Sequence, residues 1–144
     1  MNMELRIDGL MSNDGSAQNR LRILVVEDDD INQFVFLKML THAGNEVVCA
    51  SDGKQALETL QNETVDVVVM DIKLPVIDGV QVAQAIRSGV VGEDKKDIPI
   101  IAVTAYVMPG DREKILAAGI NGYLAKPFGQ NDLIQALALA PRDD

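Results

Sequence analysis

The stretch VDVVVMDIKLPVIDG at residues 65–79 decides the fold. Its first half, Val65 to Met70, is a short valine-rich run of strand length, of the kind found where a strand is covered on both faces. Asp71 closes the run, Pro75 and the Asp78-Gly79 pair mark a turn, and residues 79–88 then take up helical spacing. A buried strand that ends in a carboxylate and returns through a helix is the unit from which open parallel sheets are made.

The same unit recurs on either side. Leu21 to Val26, Glu46 to Ala50, Ile98 to Val103 and Gly122 to Ala125 read as further strands, with helical candidates near 30–43, 52–62, 109–118 and 130–139. Asp29 or Asp30 is placed to cap the first helix and Ser51 or Asp52 the second. Gly44 and Gly119 follow the first and fourth helices as C-caps, and Pro109 suits a first helical turn. Five β-then-α units predict an α/β, doubly wound, five-stranded parallel sheet with helices on both faces, its Val- and Ile-rich strands buried on both sides. Cys49, in the run Val47 to Ala50, reads as a small buried hydrophobe.

A length of 144 residues with 47% hydrophobic and 24% charged residues fits one globular domain with one core. The organisation expected is a leader over 1–20 of mixed polarity, a domain over 21–140 and a short tail over 141–144. The formal net charge of −9 would repel a phosphate backbone or an anionic membrane, so direct nucleic-acid or membrane partners are not expected. A single cysteine excludes an internal disulfide, and with no secretion signal and no apolar run of membrane length the expected setting is cytoplasmic.

Doubly wound sheets bind ligands outside the carboxyl ends of their strands. There the sequence sets Glu27, Asp28, Asp29 and Asp30 after strand one, Asp71 after strand three, Thr104 after strand four, and Lys126 and Pro127 after strand five. A flavodoxin-like strand order of 2-1-3-4-5 brings Asp28, Asp71, Thr104 and Lys126 to one rim. Close carboxylates repel by up to about 4 kcal/mol per pair at a protein-surface dielectric, so Glu27, Asp28 and Asp71 call for a hard divalent cation, and Mg²⁺ fits an all-oxygen set beside a phosphoryl group. Lys126 and Thr104 supply the positive charge and hydroxyl that stabilise equatorial oxygens in phosphoryl transfer, which leaves Asp71 as the nucleophile.

At this point residues 21 to about 140 resemble the receiver domain of bacterial two-component response regulators, most closely receivers attached to hybrid sensor histidine kinases. The resemblance rests on ILVVEDDDINQ at 23–33, VDVVVMDIKLPVIDG at 65–79 and IPIIAVTAYVMPGDREKILAAGINGYLAKPF at 98–128, in the family's order. It implies that Asp71 accepts a phosphoryl group from a phosphohistidine with Mg²⁺ held by Glu27, Asp28, Asp71 and the Lys73 carbonyl. It further implies that Thr104 is the switch hydroxyl, Ala105 the small residue that leaves access, Lys126 the charge partner, Pro127 the residue after a cis peptide, and Tyr123 the aromatic that swings inward. Lys73 and Tyr106 would border the phosphoryl group and influence its lifetime. The family departures are Asp29, where hybrid-kinase receivers often carry Asn, Glu27 in place of Asp, and a long charged connection from Ser88 to Asp97.

The resemblance implies a switch rather than a turnover enzyme. Its partner would be a histidine kinase or histidine phosphotransfer protein, and its output would pass through a partner, a homodimer or sequence outside this chain. The alternative is a phosphorylation-independent receiver-like interaction module. A haloacid-dehalogenase phosphatase would carry its Asp-x-Asp nucleophile at the first strand together with a cap insertion, whereas here the candidate nucleophile follows strand three; a flavin site would need a Ser/Thr/Gly-rich phosphate loop after strand one, and none is present. On the first helix, Val35, Phe36, Met39 and Leu40 are expected to face the core, while Phe34 and Leu37 fall inside the polar arc as an apolar patch for docking a helical phosphodonor. His42, at that helix's end, is expected to do no more than complement the helix terminus.

Overall fold

The computed structural model describes residues 20–74, 77–104 and 109–139. Five strands, β1 (Arg22–Val26), β2 (Glu46–Ala50), β3 (Val67–Asp71), β4 (Ile100–Thr104) and β5 (Gly122–Ala125), alternate with five α-helices. The helices are α1 (Asp30–His42), α2 (Gly53–Asn62), α3 (Gly79–Arg87), α4 (Asp111–Ala117) and α5 (Gln130–Leu139), and a 3-10 turn at Glu93–Lys95 interrupts the connection from α3 to β4. All strand pairs are parallel, in the order β2-β1-β3-β4-β5, so the doubly wound α/β sheet expected from the sequence is the fold. Residues 1–19 of the expected leader, the tail 141–144, and Ala105 and Tyr106 lie outside the described residues.

Strand alternation sorts the apolar side chains into two cores. Leu24, Val68, Met70 and Ile100 pack with Leu60 of α2, Val82 and Ile86 of α3 and Ile115 of α4. Ile23, Val25, Val69 and Val103 face Phe36 and Leu40 of α1 and Leu133 and Leu137 of α5. Helices α1 and α5 therefore cover one face and the other three helices the opposite face. The rings of Phe36 and Phe128 meet at a centroid distance of 5.6 Å, tying α1 to the segment that enters α5.

Burial on both faces holds for β1, β3 and β4 but not for the edges. In β2 the expected buried Cys49 is exposed, because β2 is the outermost strand. The other edge, β5, alternates half-buried and exposed residues for the same reason. On α1, Phe36 and Leu40 are buried and Met39 packs on the second core, but Val35 does not face inward as expected and is 41% exposed. It stands one turn after the exposed Ile31, on the side of the helix away from Phe36 and Leu40.

The ends of β3 and β4 also differ from the apolar runs. Both strands begin two residues later and end one residue later than expected. Pro99 has no N–H to enter a ladder, and its carbonyl instead accepts from Val68 N at 2.9 Å, so β4 starts at Ile100. At the far end the ladder continues through Ile72 N to Val103 O at 3.3 Å, which draws Asp71 into β3.

Helix ends follow the expected chemistry with one exception. Asp29 accepts from Asn32 N at 2.8 Å, Asp52 from Gln55 N at 2.8 Å, and Asp78 exchanges side-chain and main-chain bonds with Gln81 at the start of α3. Gly44 and Gly119 terminate α1 and α4 at φ 97° and 89°. Pro109, expected in a first helical turn, lies in the turn ahead of α4. There Gly110 at φ 92° is the N-cap, and its left-handed backbone delays the helix until Asp111. No helix among the described residues is long and apolar enough to cross a membrane.

Candidate functional site

Hydrogen bonds that run one step past the strands fix where the chain leaves the sheet. Glu27 N donates to Ala50 O at 3.0 Å, and Lys126 N donates to Thr104 O at 2.9 Å. The register sets Val26 beside Met70, Asp71 beside Val103 and Thr104 beside Ala125. Four adjacent strands thus deliver Glu27, Asp71, Thr104 and Lys126 to the same end of the sheet.

Glu27, Asp28 and Asp71 each offer a carboxylate oxygen within 4.8 Å of the others. Glu27 is buried, Asp71 half-buried and Asp28 exposed, so one side of the group faces protein and the other is open. Lys126 Nζ bridges the two inner carboxylates, 3.3 Å from Glu27 Oε1 and 3.4 Å from Asp71 Oδ2. The remaining oxygens are also engaged: Asp29 N donates to Glu27 Oε2 at 3.1 Å and Lys73 N to Asp71 Oδ1 at 3.0 Å.

Burial pushes the Glu27 carboxyl above its ordinary range. The Asp29 N–H opposes that rise, the Asp71 charge adds to it, and Lys126 offsets only part of it. For Lys126, burial favours loss of the proton, but the charges and hydrogen bonds of Asp71 and Glu27 outweigh it and hold the ammonium above its ordinary value. A set of partly dehydrated carboxylate oxygens with a single ammonium between them fits a hard, oxygen-seeking divalent cation on its open side.

Thr104 ends β4 and is buried. Lys73 is exposed beside Asp71, and the Lys126–Pro127 peptide is cis. Tyr123 lies on β5, 37% exposed, and lines a groove of about 300 Å³ between β5 and α5 with Ile101, Leu124 and Gln135. Ala105, expected to leave access to the site, lies outside the described residues. The rim therefore gathers Glu27, Asp28, Asp71, Thr104 and Lys126, while Tyr123 stands apart on the edge strand.

Two residues at the site escaped the sequence reading. A Cβ on Gly79 would lie 2.8 Å from the Asp71 carbonyl oxygen and 2.8 Å from Ile72 Cα, so only glycine lets α3 start against the strand end that carries Asp71. The Asp78-Gly79 pair gave a turn signal, but nothing in the pattern marked the close approach. Gln33 donates from Nε2 to the Glu27 carbonyl at 2.6 Å and to Ser51 Oγ at 3.1 Å, although in sequence it is one more polar residue on the outer arc of α1.

Residues 23–138 match the response regulator receiver domain family. The chain is 37% identical over 128 residues to hybrid signal transduction histidine kinase I of Dictyostelium discoideum, a match covering 85% of this chain and 7% of that protein. It is 34% identical to the sensor protein GacS of Pseudomonas syringae pv. syringae, covering 81% of this chain and 13% of the relative. The chain thus spans only a small part of these kinases. By contrast, a 31% match to the polar-differentiation response regulator DivK of Brucella ovis covers 80% of this chain and 91% of the relative.

Among solved structures, the receiver domain of sensor histidine kinase PA1611 from Pseudomonas aeruginosa PAO1 is 42% identical, with a TM-score of 0.74 over 81% of this chain and 93% of that one. That crystal structure has a magnesium ion coordinated in its active site cleft. The chemotaxis protein CheY4 of Vibrio cholerae is 30% identical, with a TM-score of 0.76 over 83% of this chain and 97% of its own.

Proposed function

The chain belongs to the response regulator receiver domain family, a family of two-component signalling switches, and from that premise we propose that Asp71 is its phosphoacceptor. The observation that carries the reading is the bridging of Asp71 and Glu27 by Lys126 Nζ, with Asp28 beside them and Thr104 at the next strand end. The functional unit runs over residues 21–140. In this reading an Asp71 carboxylate oxygen attacks the phosphorus of a phosphohistidine. The P–N bond breaks, an acyl phosphate forms, and the donor imidazole leaves with a proton from solvent.

Glu27, Asp28, Asp71 and the Lys73 carbonyl would hold Mg²⁺, which when bound neutralises charge on the phosphoryl oxygens. The magnesium in the cleft of the PA1611 receiver supports that assignment. Lys126 and Thr104 then take the phosphoryl oxygens as ion-pair and hydrogen-bond partners. Their inward movement, with Tyr123 following, changes the surface over β4 and β5. Pro127 follows the cis peptide that leaves Lys126 at the rim.

The donor, a histidine kinase or histidine phosphotransfer protein in the cytoplasm, docks on α1. There Ile31 is 74% and Phe34 58% exposed, next to the exposed Val35 and the half-buried Leu37. Kinase relatives such as GacS support a partner of that class.

The test is intact-mass spectrometry after incubation with acetyl phosphate or phosphoramidate, with and without Mg²⁺, on the parent and Asp71→Ala. One added phosphoryl group that requires Mg²⁺ and disappears in the variant is the expected result. No adduct, and no binding of a beryllofluoride complex, would leave the phosphorylation-independent interaction module as the reading.

A further inference from the structure

Gln33 sits in the first turn of α1, outside the group of residues that would touch metal or phosphate. Its side-chain amide carries two hydrogens, and both have acceptors: the Glu27 carbonyl oxygen at 2.6 Å and Ser51 Oγ at 3.1 Å. Ser51 N donates in turn to Gln55 Oε1 at 2.8 Å, which roots the contact in the start of α2. Because Glu27 N is held by Ala50 O, both main-chain polar groups of Glu27 are fixed, one by β2 and one by Gln33. The peptide plane between Glu27 and Asp28 is thereby set. Asp28 is exposed, so packing does not place it, and its carboxylate depends on that plane to stay beside Glu27 and Asp71.

We propose that Gln33 is the positioning residue for the divalent-cation site, clamping the Glu27–Asp28 peptide to the loop between β2 and α2 so that the acidic pair is organised before the cation arrives. This rests on the Mg²⁺-dependent switch reading. It goes further by giving a residue that contacts neither metal nor phosphate control over metal affinity. Preorganised oxygen ligands bind more tightly because no ordering is left for the binding step.

The experiment titrates Mg²⁺ into the unphosphorylated full chain by calorimetry for the parent, Gln33→Met and Ser51→Ala, and records thermal unfolding of each in EDTA. Methionine keeps the length of glutamine and removes both donors. Gln33→Met should weaken the Mg²⁺ dissociation constant about fivefold, the size expected for one freed hydrogen bond. Ser51→Ala, which removes only the far anchor, should weaken it about twofold. Labelling of Asp71 by acetyl phosphate should slow at low Mg²⁺ and return to the parent rate at saturation.

A merely structural role would lower the unfolding midpoint in EDTA and leave the dissociation constant within error of the parent. That result overturns the clamp. Should Gln33→Met not fold, Gln33→Asn withdraws the amide by one methylene and carries the same expectation. A parent that binds no Mg²⁺ overturns the switch reading and the clamp together. A parent that binds and a variant that binds equally well overturn the clamp alone.

Discussion

Lys126 occupies the same two carboxylates that a divalent cation needs, so its removal should strengthen metal binding while weakening the metal-free fold. At 3.3 and 3.4 Å, Coulomb's law gives about 5 kcal/mol for each contact at an effective dielectric of about 20. Desolvation and the 23% exposure of the lysine side chain reduce the net to about 1–2 kcal/mol. Lys126→Met keeps the aliphatic stem and deletes the charge. In EDTA, Glu27 is then left buried beside Asp71 without its cation, and the domain should lose about 2 kcal/mol. That corresponds to a drop of about 8 °C in unfolding midpoint for a domain of this size.

With Mg²⁺ the sign reverses. No ammonium has to be displaced or repelled, and the dissociation constant should tighten about tenfold, the factor that 1.4 kcal/mol represents. Calorimetric titration and paired thermal scans in EDTA and Mg²⁺ read both effects on one preparation. Unchanged or weaker Mg²⁺ binding in Lys126→Met would refute the reasoning, because it would mean that the ammonium does not compete for these oxygens.

The raised Glu27 carboxyl makes a prediction about pH. A group whose folded value lies above its ordinary 4.5 holds its proton more tightly in the native state, so stability in EDTA should fall as pH rises from 4.5 through the folded value. Glu27→Gln should flatten that slope and raise the midpoint at pH 7; a slope unchanged from the parent would show that Glu27 is not its source. Gly79→Ala drives a Cβ to within 2.8 Å of strand backbone and should cost about 2 kcal/mol in denaturant unfolding, with slower Asp71 labelling even at saturating Mg²⁺. Ile31→Ser with Phe34→Ala should slow phosphoryl transfer from a histidine-containing donor tenfold or more while labelling by acetyl phosphate stays at the parent rate; equal loss in both assays would sink the α1 docking surface.

The sheet was legible because its information is local: a valine run, a carboxylate at its end, a turn and a helical period sit within about twenty-five residues, and the strand-then-helix order recurs along the chain. Cys49 and Val35 were misread for the opposite reason. Whether an apolar residue is covered depends on which strand is outermost and which elements flank a helix, and neither is written in the run that contains it. The rim residues could be read early, since a strand's last residue points to the ligand end whatever its neighbours are. The Gln33 bond to Glu27 and Ser51 and the approach of Gly79 to Asp71 depend on distances between separate loops, so no spacing rule exposes them.

The two sides of the rim are held unequally, and that asymmetry gives the proposed switch a direction. On the β1 side, Glu27 is fixed through its N–H, its carbonyl and its side chain, and β1 and β3 are buried in the middle of the sheet. On the β5 side, Lys126 hangs from an edge strand of alternating half-buried and exposed residues, joined to the rim through the main-chain bond to Thr104 and the side-chain pairs to Glu27 and Asp71. A phosphoryl group adds roughly −1.5 to −2 charges by analogy with phosphoserine. Such a charge on Asp71 would pull on Lys126 far more than on any group of the β1 side, which carries like charge and is pinned. The lightly packed element would yield first, so the displacement would run through Lys126 into β5, where Tyr123 borders the groove against α5.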